Sequence, residues 1–284
     1  MKRLKIITVA DPMMGLLWET WPIHRKLETH FNYQIDFGTL MGQLVKDVYT
    51  LTDQNVLKRY GKTVALNQYW VKLMQIYLQE ERIAGMPIQM GAGKRLFDAA
   101  HTTSRPLSKA LRIISNHSAQ REDQVLYELQ YATVVLNQQT TDPRYLQQLA
   151  VQFGLDADQF KRRYQANDLE LDLEKEQNII GQLQIQQLPA YIVTYGDQSY
   201  VIKGLPKYTE WLDIIKKVSG GELTPSAVQF DQAAVTQLMT LHPHISSLEL
   251  KEAFDVADEA TVVQALADTS LTKTKFKKTV FYQR

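Results

Sequence analysis

No cysteine occurs among the 284 residues, and that absence removes more chemistry than any motif adds. Disulfide bonds are excluded. So is thiol–disulfide exchange, which needs one thiolate to attack and a second thiol to resolve the mixed disulfide. Thiolate zinc sites go with it, and the 6 histidines offer no metal-ligand spacing. His242 and His244 flank Pro243 in a loop with no cysteine to join them. An excess of one charge is also lacking. The 32 Lys and Arg nearly balance the 31 Asp and Glu, for a formal net charge of +1, so nothing in the overall field favours nucleic acid or an anionic membrane. Long hydrophobic runs are missing as well. Ile6 to Ala10 is stopped by Asp11, far short of a signal-peptide core, and no segment approaches membrane-span length. The expectation is a cytoplasmic protein without membrane contact or metal.

What is present is ordinary globular composition, 44% hydrophobic and 22% charged, enough to bury a substantial core. The apolar run Leu4 to Ala10 leads through Asp11-Pro12-Met13-Met14-Gly15-Leu16-Leu17-Trp18 into an amphipathic stretch, Trp18 to Phe31. That is a strand-to-helix corner. A second apolar run spans Tyr33 to Met41. Tyr191 to Thr194 and Ser199 to Ile202 are β-rich, and Tyr195-Gly196-Asp197-Gln198 between them is a hairpin signal. Leu212, Ile215 and Val218 recur at helical spacing in Tyr208 to Val218.

The long middle, about 47–183, reads as helices: Val64 to Ile83, Lys94 to Ala100, Leu107 to Asn116 and Glu122 to Asn137. Thr141-Asp142-Pro143 caps Arg144 to Phe153, and Gly154-Leu155-Asp156 caps Ala157 to Gln165. Asp168 to Leu183 returns the chain to the sheet.

Four local signals carry no function. Met90-Gly91-Ala92-Gly93-Lys94-Arg95 fails as a phosphate loop, because Ile88 stands where glycine is required and Arg95 where Ser or Thr is. Asp36-Phe37-Gly38 lacks the other kinase motifs. The acidic run Glu170 to Glu176 is a solvated helix face. No Ser-His-Asp constellation can be placed from the sequence, which leaves Thr20 and Thr194 near the corner as lone nucleophile candidates without a triad.

The corner, with Asp-Pro-Met at the end of a first strand and an aromatic after it, resembles the DsbA family and its cytoplasmic FrnE-like branch. There the corner reads Asp-Pro-Met-Cys-x-x-Cys-aromatic; here Met14 and Leu17 stand at the two cysteine positions. The resemblance covers roughly residues 4–218. Leu40-Met41-Gly42 is similar to the Met-Gly-Gly-Leu after the family's second strand. The two capped helices are similar to the end of its helical insertion, and Gln187-Leu188-Pro189-Ala190-Tyr191 resembles its Val-Pro-Thr strand, whose proline is cis. The resemblance implies an α/β thioredoxin-like domain with a DsbA-like helical insertion. Its parts are residues 1–46 and 168–222 for the thioredoxin-like unit and 47–167 for the insertion.

A separate module, 223–284, follows Ser219-Gly220-Gly221. Ala233 to Leu241, Ser246 to Phe254 and Glu259 to Ala267 read as three short helices, and the basic stretch Lys273 to Tyr282 reads as β-structure. The order is winged-helix-like. Its third helix holds no Arg or Lys, which argues against DNA in a major groove and for packing against the main domain or a partner.

The resemblance places a binding groove at Asp11, Pro12, Met13, Met14, Leu17, Trp18, Leu188 and Pro189, with a cis bond at Pro189. Exposure of Met14 and Leu17 would make them an apolar patch beside Leu188 and Pro189. The first functional reading is a non-redox adaptor that pairs an extended peptide with the Leu188 backbone; adaptors that present a regulator to a protease occur in the wider group. The second is an enzyme without cysteine, like the kappa-class glutathione transferases, with glutathione as its cofactor. No serine lies between Asp11 and Trp18 to hold a glutathione thiolate, which counts against it. The third is a structural role, as a homodimer through the C-terminal module.

Overall fold

The structure, a computed structural model, describes residues 2–89, 94–117 and 121–284; of the rejected phosphate-loop stretch only Lys94 and Arg95 lie within them. The chain opens with β1 (Leu4–Ala10), a short α1 (Gly15–Trp18), α2 (Trp21–His30) and β2 (Ile35–Met41). Helices α3 (Gln54–Glu80), α4 (Arg105–His117), α5 (Glu122–Gln130), α6 (Pro143–Gln152), α7 (Ala157–Tyr164) and α8 (Asn167–Gln182) follow. The chain then returns through β3 (Ala190–Tyr195), β4 (Gln198–Lys203) and α9 (Tyr208–Val218). The last segment holds α10 (Gln232–Leu241), β5 (His244–Ser246), α11 (Ser247–Ala253), α12 (Glu259–Ala265), β6 (Thr272–Phe276) and β7 (Thr279–Gln283).

One four-stranded sheet has the order β2-β1-β3-β4. β1 runs parallel to β2, with Ile6 opposite Phe37, and antiparallel to β3, with Ile6 opposite Val193. Most of β1 is buried on both faces, as a central strand covered by helices must be. The helices begin where the sequence supplies caps. Asp53, Asp142, Asp156, Asp231 and Asp258 each accept a backbone N–H at an N-terminus. At α11, Ser246 and Glu249 cap each other reciprocally.

Four features differ from expectation. The helix read over Val64 to Ile83 starts ten residues earlier, at Gln54, and kinks at Gly61, whose φ of 81° only glycine adopts freely. Lys94 to Ala100 forms no helix. Leu96 and Phe97 are buried without one, and Asp98 turns the chain by accepting the Ala100 and His101 amides. Beyond Gln130 the stretch read as one helix to Asn137 widens into a π-helical turn, Tyr131–Val135. A short strand, β5, precedes α11 and pairs with β7, giving a second sheet of order β5-β7-β6.

This last unit is packed onto the first. α11 lies along α2, and a buried set of polar side chains joins them: Arg25 and Glu28 from α2, His242 after α10, Glu249 from α11 and Asp123 from α5. Among the described residues no helix is long and apolar enough to cross a membrane.

Candidate functional site: a closed corner and an open cleft

The β1–α1 corner is built around Asp11. Its Oδ1 accepts the Met13 N–H at 3.1 Å, and its Oδ2 accepts the Leu44 N–H at 2.8 Å and the Ser104 hydroxyl at 2.5 Å. Burial pushes the Asp11 carboxyl above its ordinary range, and these three donors offset part of that rise. The aspartate thus pins the corner to the segment after β2 and to the start of α4. Met14 closes the turn, donating its N–H to the Asp11 carbonyl at 2.9 Å, while its sulfur lies 3.4 Å from the Asp11 nitrogen.

The apolar patch expected at Met14 and Leu17 is absent. Met14 is 5% exposed, Leu17 1% and Trp18 0%, and Pro12 and Met13 are buried with them. The cover comes from three directions. The Tyr77 hydroxyl of α3 donates to the Met13 carbonyl at 2.8 Å, and the Trp18 indole donates to the Pro87 carbonyl at 3.2 Å. Gln130 of α5 donates to the Met14 carbonyl and accepts from the Trp21 indole. Phe281 of β7 stacks on Trp18, with ring centroids 6.3 Å apart. A thioether and an isobutyl group gain by leaving water, and the insertion together with the C-terminal hairpin supplies the wall that lets them.

Gly15 shows how tight the closure is. A β-carbon there would lie 3.0 Å from Tyr77 Cδ1 and 3.2 Å from Ile88 Cδ1, and would collide with the Glu80 carboxyl. Gly15→Ala is expected to destabilise the fold by about 1–3 kcal/mol through overpacking. Urea denaturation reads this directly; an unchanged midpoint would mean that the wall yields.

Leu188 and Pro189 meet the corner from the other side. The bond between them is cis, as expected. The Leu188 side chain is half-buried against Gly42, and Pro189 is buried, its carbonyl accepting the Gly204 N–H at 3.1 Å. Among the described residues the Leu188 N–H and C=O have no hydrogen-bond partner. All eight residues expected at the groove therefore gather in one region, but seven of them are buried and only Leu188 is partly open.

The open space lies next door. A cleft of about 360 Å³ runs between α2, the chain after α3, the β4–α9 loop and α11. Pro22, Ile23, Ile83, Leu205 and Pro206 supply apolar walls, and Lys26, Lys207, Tyr208 and Glu252 also line it. Glu19 belongs to the same cleft yet is 3% exposed. Its Oε2 accepts the amides of Ala84, Gly85 and Met86 at 2.7, 2.9 and 3.3 Å, while its Oε1 is buried without a partner among the described residues. Burial, only partly offset by those amides, pushes Glu19 up to about 8, so the acid is largely neutral at pH 7. None of the eight expected groove residues lines this cleft. The signal was one acid within the apolar corner, Leu16-Leu17-Trp18-Glu19-Thr20-Trp21.

No protein-family model matches the sequence, and no curated protein does. Solved structures do match in shape. A candidate protein disulfide isomerase from Nitrosomonas europaea superposes with a TM-score of 0.57 at 16% identity, over 76% of this chain and 98% of that one. The cytosolic disulfide reductase DsbM from Pseudomonas aeruginosa gives 0.56 at 15% identity, over 75% and 97%. A candidate DsbA oxidoreductase from Streptomyces coelicolor gives 0.54 at 16%, over 82% and 95%. At such identities the likeness establishes the fold alone, and it accords with the sheet order, the helical insertion and the cis-proline of this chain. The chain has the DsbA-like thioredoxin fold, without the cysteines on which thiol–disulfide exchange depends.

Proposed function

We propose that the chain is a non-redox, protein-binding member of the DsbA-like fold, and that it receives apolar side chains of a partner polypeptide in the cleft beside Glu19. The single observation that carries this reading is the exchange of surfaces: the corner is filled by the chain itself, while the neighbouring cleft is open, apolar-walled and floored by a carboxyl with an unpaired oxygen. Pockets of this size and lining are the usual seats of apolar ligands. A neutral Glu19 puts no charge into it. At the rim Lys26 is paired with Asp255, which leaves Lys207 to suit a polar or acidic residue on the partner's flank.

A narrower reading, extended-peptide pairing at Leu188, is supported by the free main-chain groups there. Glutathione at the corner is not supported, because Tyr77, Gln130 and Trp18 already occupy the space and donors it would need. The order of α10 to β7 suits a winged-helix-like module serving as a packing unit. The hairpin-tip ammonium of Lys277 lies 2.6 Å from Glu81 and also donates to the Ile88 carbonyl, so it is spent on the insertion and not free for phosphate. The cytoplasmic setting proposed here draws on the lack of cysteine and on the cytosolic DsbM likeness.

Filling the cleft tests the proposal. Immobilised wild-type protein should retain a partner that Ile23→Trp loses by at least about tenfold, while a fill at the closed corner has no such selective effect. Equal retention by the Ile23→Trp protein, shown folded by circular dichroism, would remove the cleft from the account.

A further inference from the structure

The two carboxyl oxygens of Glu19 are in different positions. Oε2 is saturated by the Ala84, Gly85 and Met86 amides at 2.7, 2.9 and 3.3 Å. Oε1 is buried and has no partner among the described residues. An oxygen that already accepts three N–H groups is a poor place for a proton, so the proton of the neutral acid sits on Oε1. That leaves a buried O–H donor without an acceptor, a state that costs free energy until something supplies one.

The acceptor has to come through the cleft that Glu19 lines. Ile83 stands 53% exposed there, and Ile23, Leu205 and Pro206 are half-buried, so an occupant has apolar wall to cover. Neither nearby ammonium compensates the carboxyl: Lys26 is paired with Asp255 and lies over the Tyr208 ring, and Lys207 is exposed at the rim. A carboxylate at the floor would therefore bring a second acid against Glu19. An N–H group would meet the Oε1 hydrogen head-on. A neutral acceptor suffers neither penalty.

We propose, on the footing that the cleft seats apolar groups of a partner, that its floor selects a neutral carbonyl group, which in a polypeptide is an amide carbonyl between apolar side chains. The carbonyl accepts the Oε1 hydrogen, and the flanking side chains cover Ile23, Ile83, Leu205 and Pro206.

The selection has a pH limit, because ionised Glu19 no longer donates. The charged and titratable groups around it are Lys26 on α2, Glu80 and Glu81 at the end of α3, Tyr191 on β3, Lys207 and Tyr208 at the start of α9, Glu252 on α11, and Lys278 beside Gly85. Glu81, itself held by Lys277 at 2.6 Å, adds to the rise of Glu19 to about 8. Burial pushes Tyr208 up to about 12 and Tyr191 higher still, so neither titrates in that range. Glu80, raised by burial to about 7, does. Affinity for a carbonyl should thus fall as the pH rises through 8, while affinity for an N–H donor rises.

Three flat bicyclic probes of nearly one shape test this. 1-Indanone carries only a carbonyl acceptor, indole an N–H donor, and indene neither. Each is titrated into protein labelled at its isoleucine methyl groups, with Ile23 and Ile83 followed by NMR. At pH 7 indanone should bind at least about tenfold more tightly than indole or indene, and its affinity should fall at least about threefold between pH 7 and pH 9. Glu19→Gln keeps a carbonyl for the three amides and gives the cleft a permanent N–H donor, so the pH dependence should vanish. Equal affinity for indanone and indene in the wild-type protein would overturn the inference while leaving the cleft as an apolar seat. A fall with pH that persists in folded Glu19→Gln would overturn it too, and would assign the titration to another group such as Glu80. No shift of Ile23 or Ile83 with any probe at millimolar concentration would remove the cleft's role and this inference together.

Discussion

Glu249→Ala is expected to cost the folded protein about 3–5 kcal/mol, the range for removing one partner of a buried ion pair. Glu249 is fully buried, and the Arg25 side chain is 2% exposed. The carboxylate accepts the Arg25 Nε at 3.2 Å, the Tyr127 hydroxyl at 2.7 Å, and the Ser246 amide and hydroxyl at 2.9 and 2.8 Å. Alanine would strand all four donors. The guanidinium would keep His242 Nε2 at 3.1 Å, Glu28 at 3.8 Å and the face of Trp21, 4.7 Å away, with no carboxylate within hydrogen-bond reach; a buried cation so weakly matched is the costly case. Truncating both partners, as Arg25→Met/Glu249→Met, should cost less than the single change, because the buried guanidinium is removed together with its carboxylate while Glu28 keeps its hydrogen bond with His242. Urea denaturation of the three proteins measures this. A loss under about 1 kcal/mol for Glu249→Ala would mean that the pair is solvated.

The position of this network explains the size of the effect. Arg25 sits on the helix that follows the corner, Tyr127 on the insertion and Glu249 on the C-terminal unit. His242 Nε2 adds a hydrogen bond to Glu28 Oε2 at 2.6 Å, and Thr29 donates to the Ala253 carbonyl at 2.6 Å. One carboxylate therefore holds three parts of the chain together, and β7 brings Phe281 onto Trp18 only while they stay together. Loss of Glu249 should also loosen the cover of the corner.

How much of this was legible in the sequence depends on how local the cause was. The corner, the hairpin at Gly196, the helix caps and the cis-proline are set by neighbours in the chain, and they appear where the residues place them. The covering of Met14 and Leu17 is not local. Tyr77, Pro87, Gln130 and Phe281 lie between about 60 and 270 residues away, and nothing at the corner announces them. Strand β5 is three residues long and exists because β7 pairs with it. Helix α3 illustrates a deeper limit: Leu66, Tyr69, Leu73 and Tyr77, which are buried, follow a helical period, and so do Val64, Val71 and Leu78, which are exposed. The pattern alone does not say which faces inward. Glu19 was passed over because an acid after Trp18 looks like ordinary helix-surface charge, whereas the amides of Ala84, Gly85 and Met86 make it a buried one.

Central to the account is the claim that the corner is closed by the chain itself and has no exchange chemistry left to recover. Its most direct test is to put a thiol back. Met14→Cys places one cysteine at the position that resembles the attacking thiol of the DsbA family, in a protein otherwise free of cysteine. With the fold confirmed by circular dichroism, the rate of reaction with Ellman's reagent is compared in buffer and in urea. Behind Tyr77, Gln130 and Trp18, the thiol should react at least about 100-fold more slowly in the native protein than in the unfolded one, since labelling must wait for an opening of the core. Prompt stoichiometric labelling of the native protein would contradict the account: it would show an exposed corner, and with it a site at which the fold's old chemistry could still be performed.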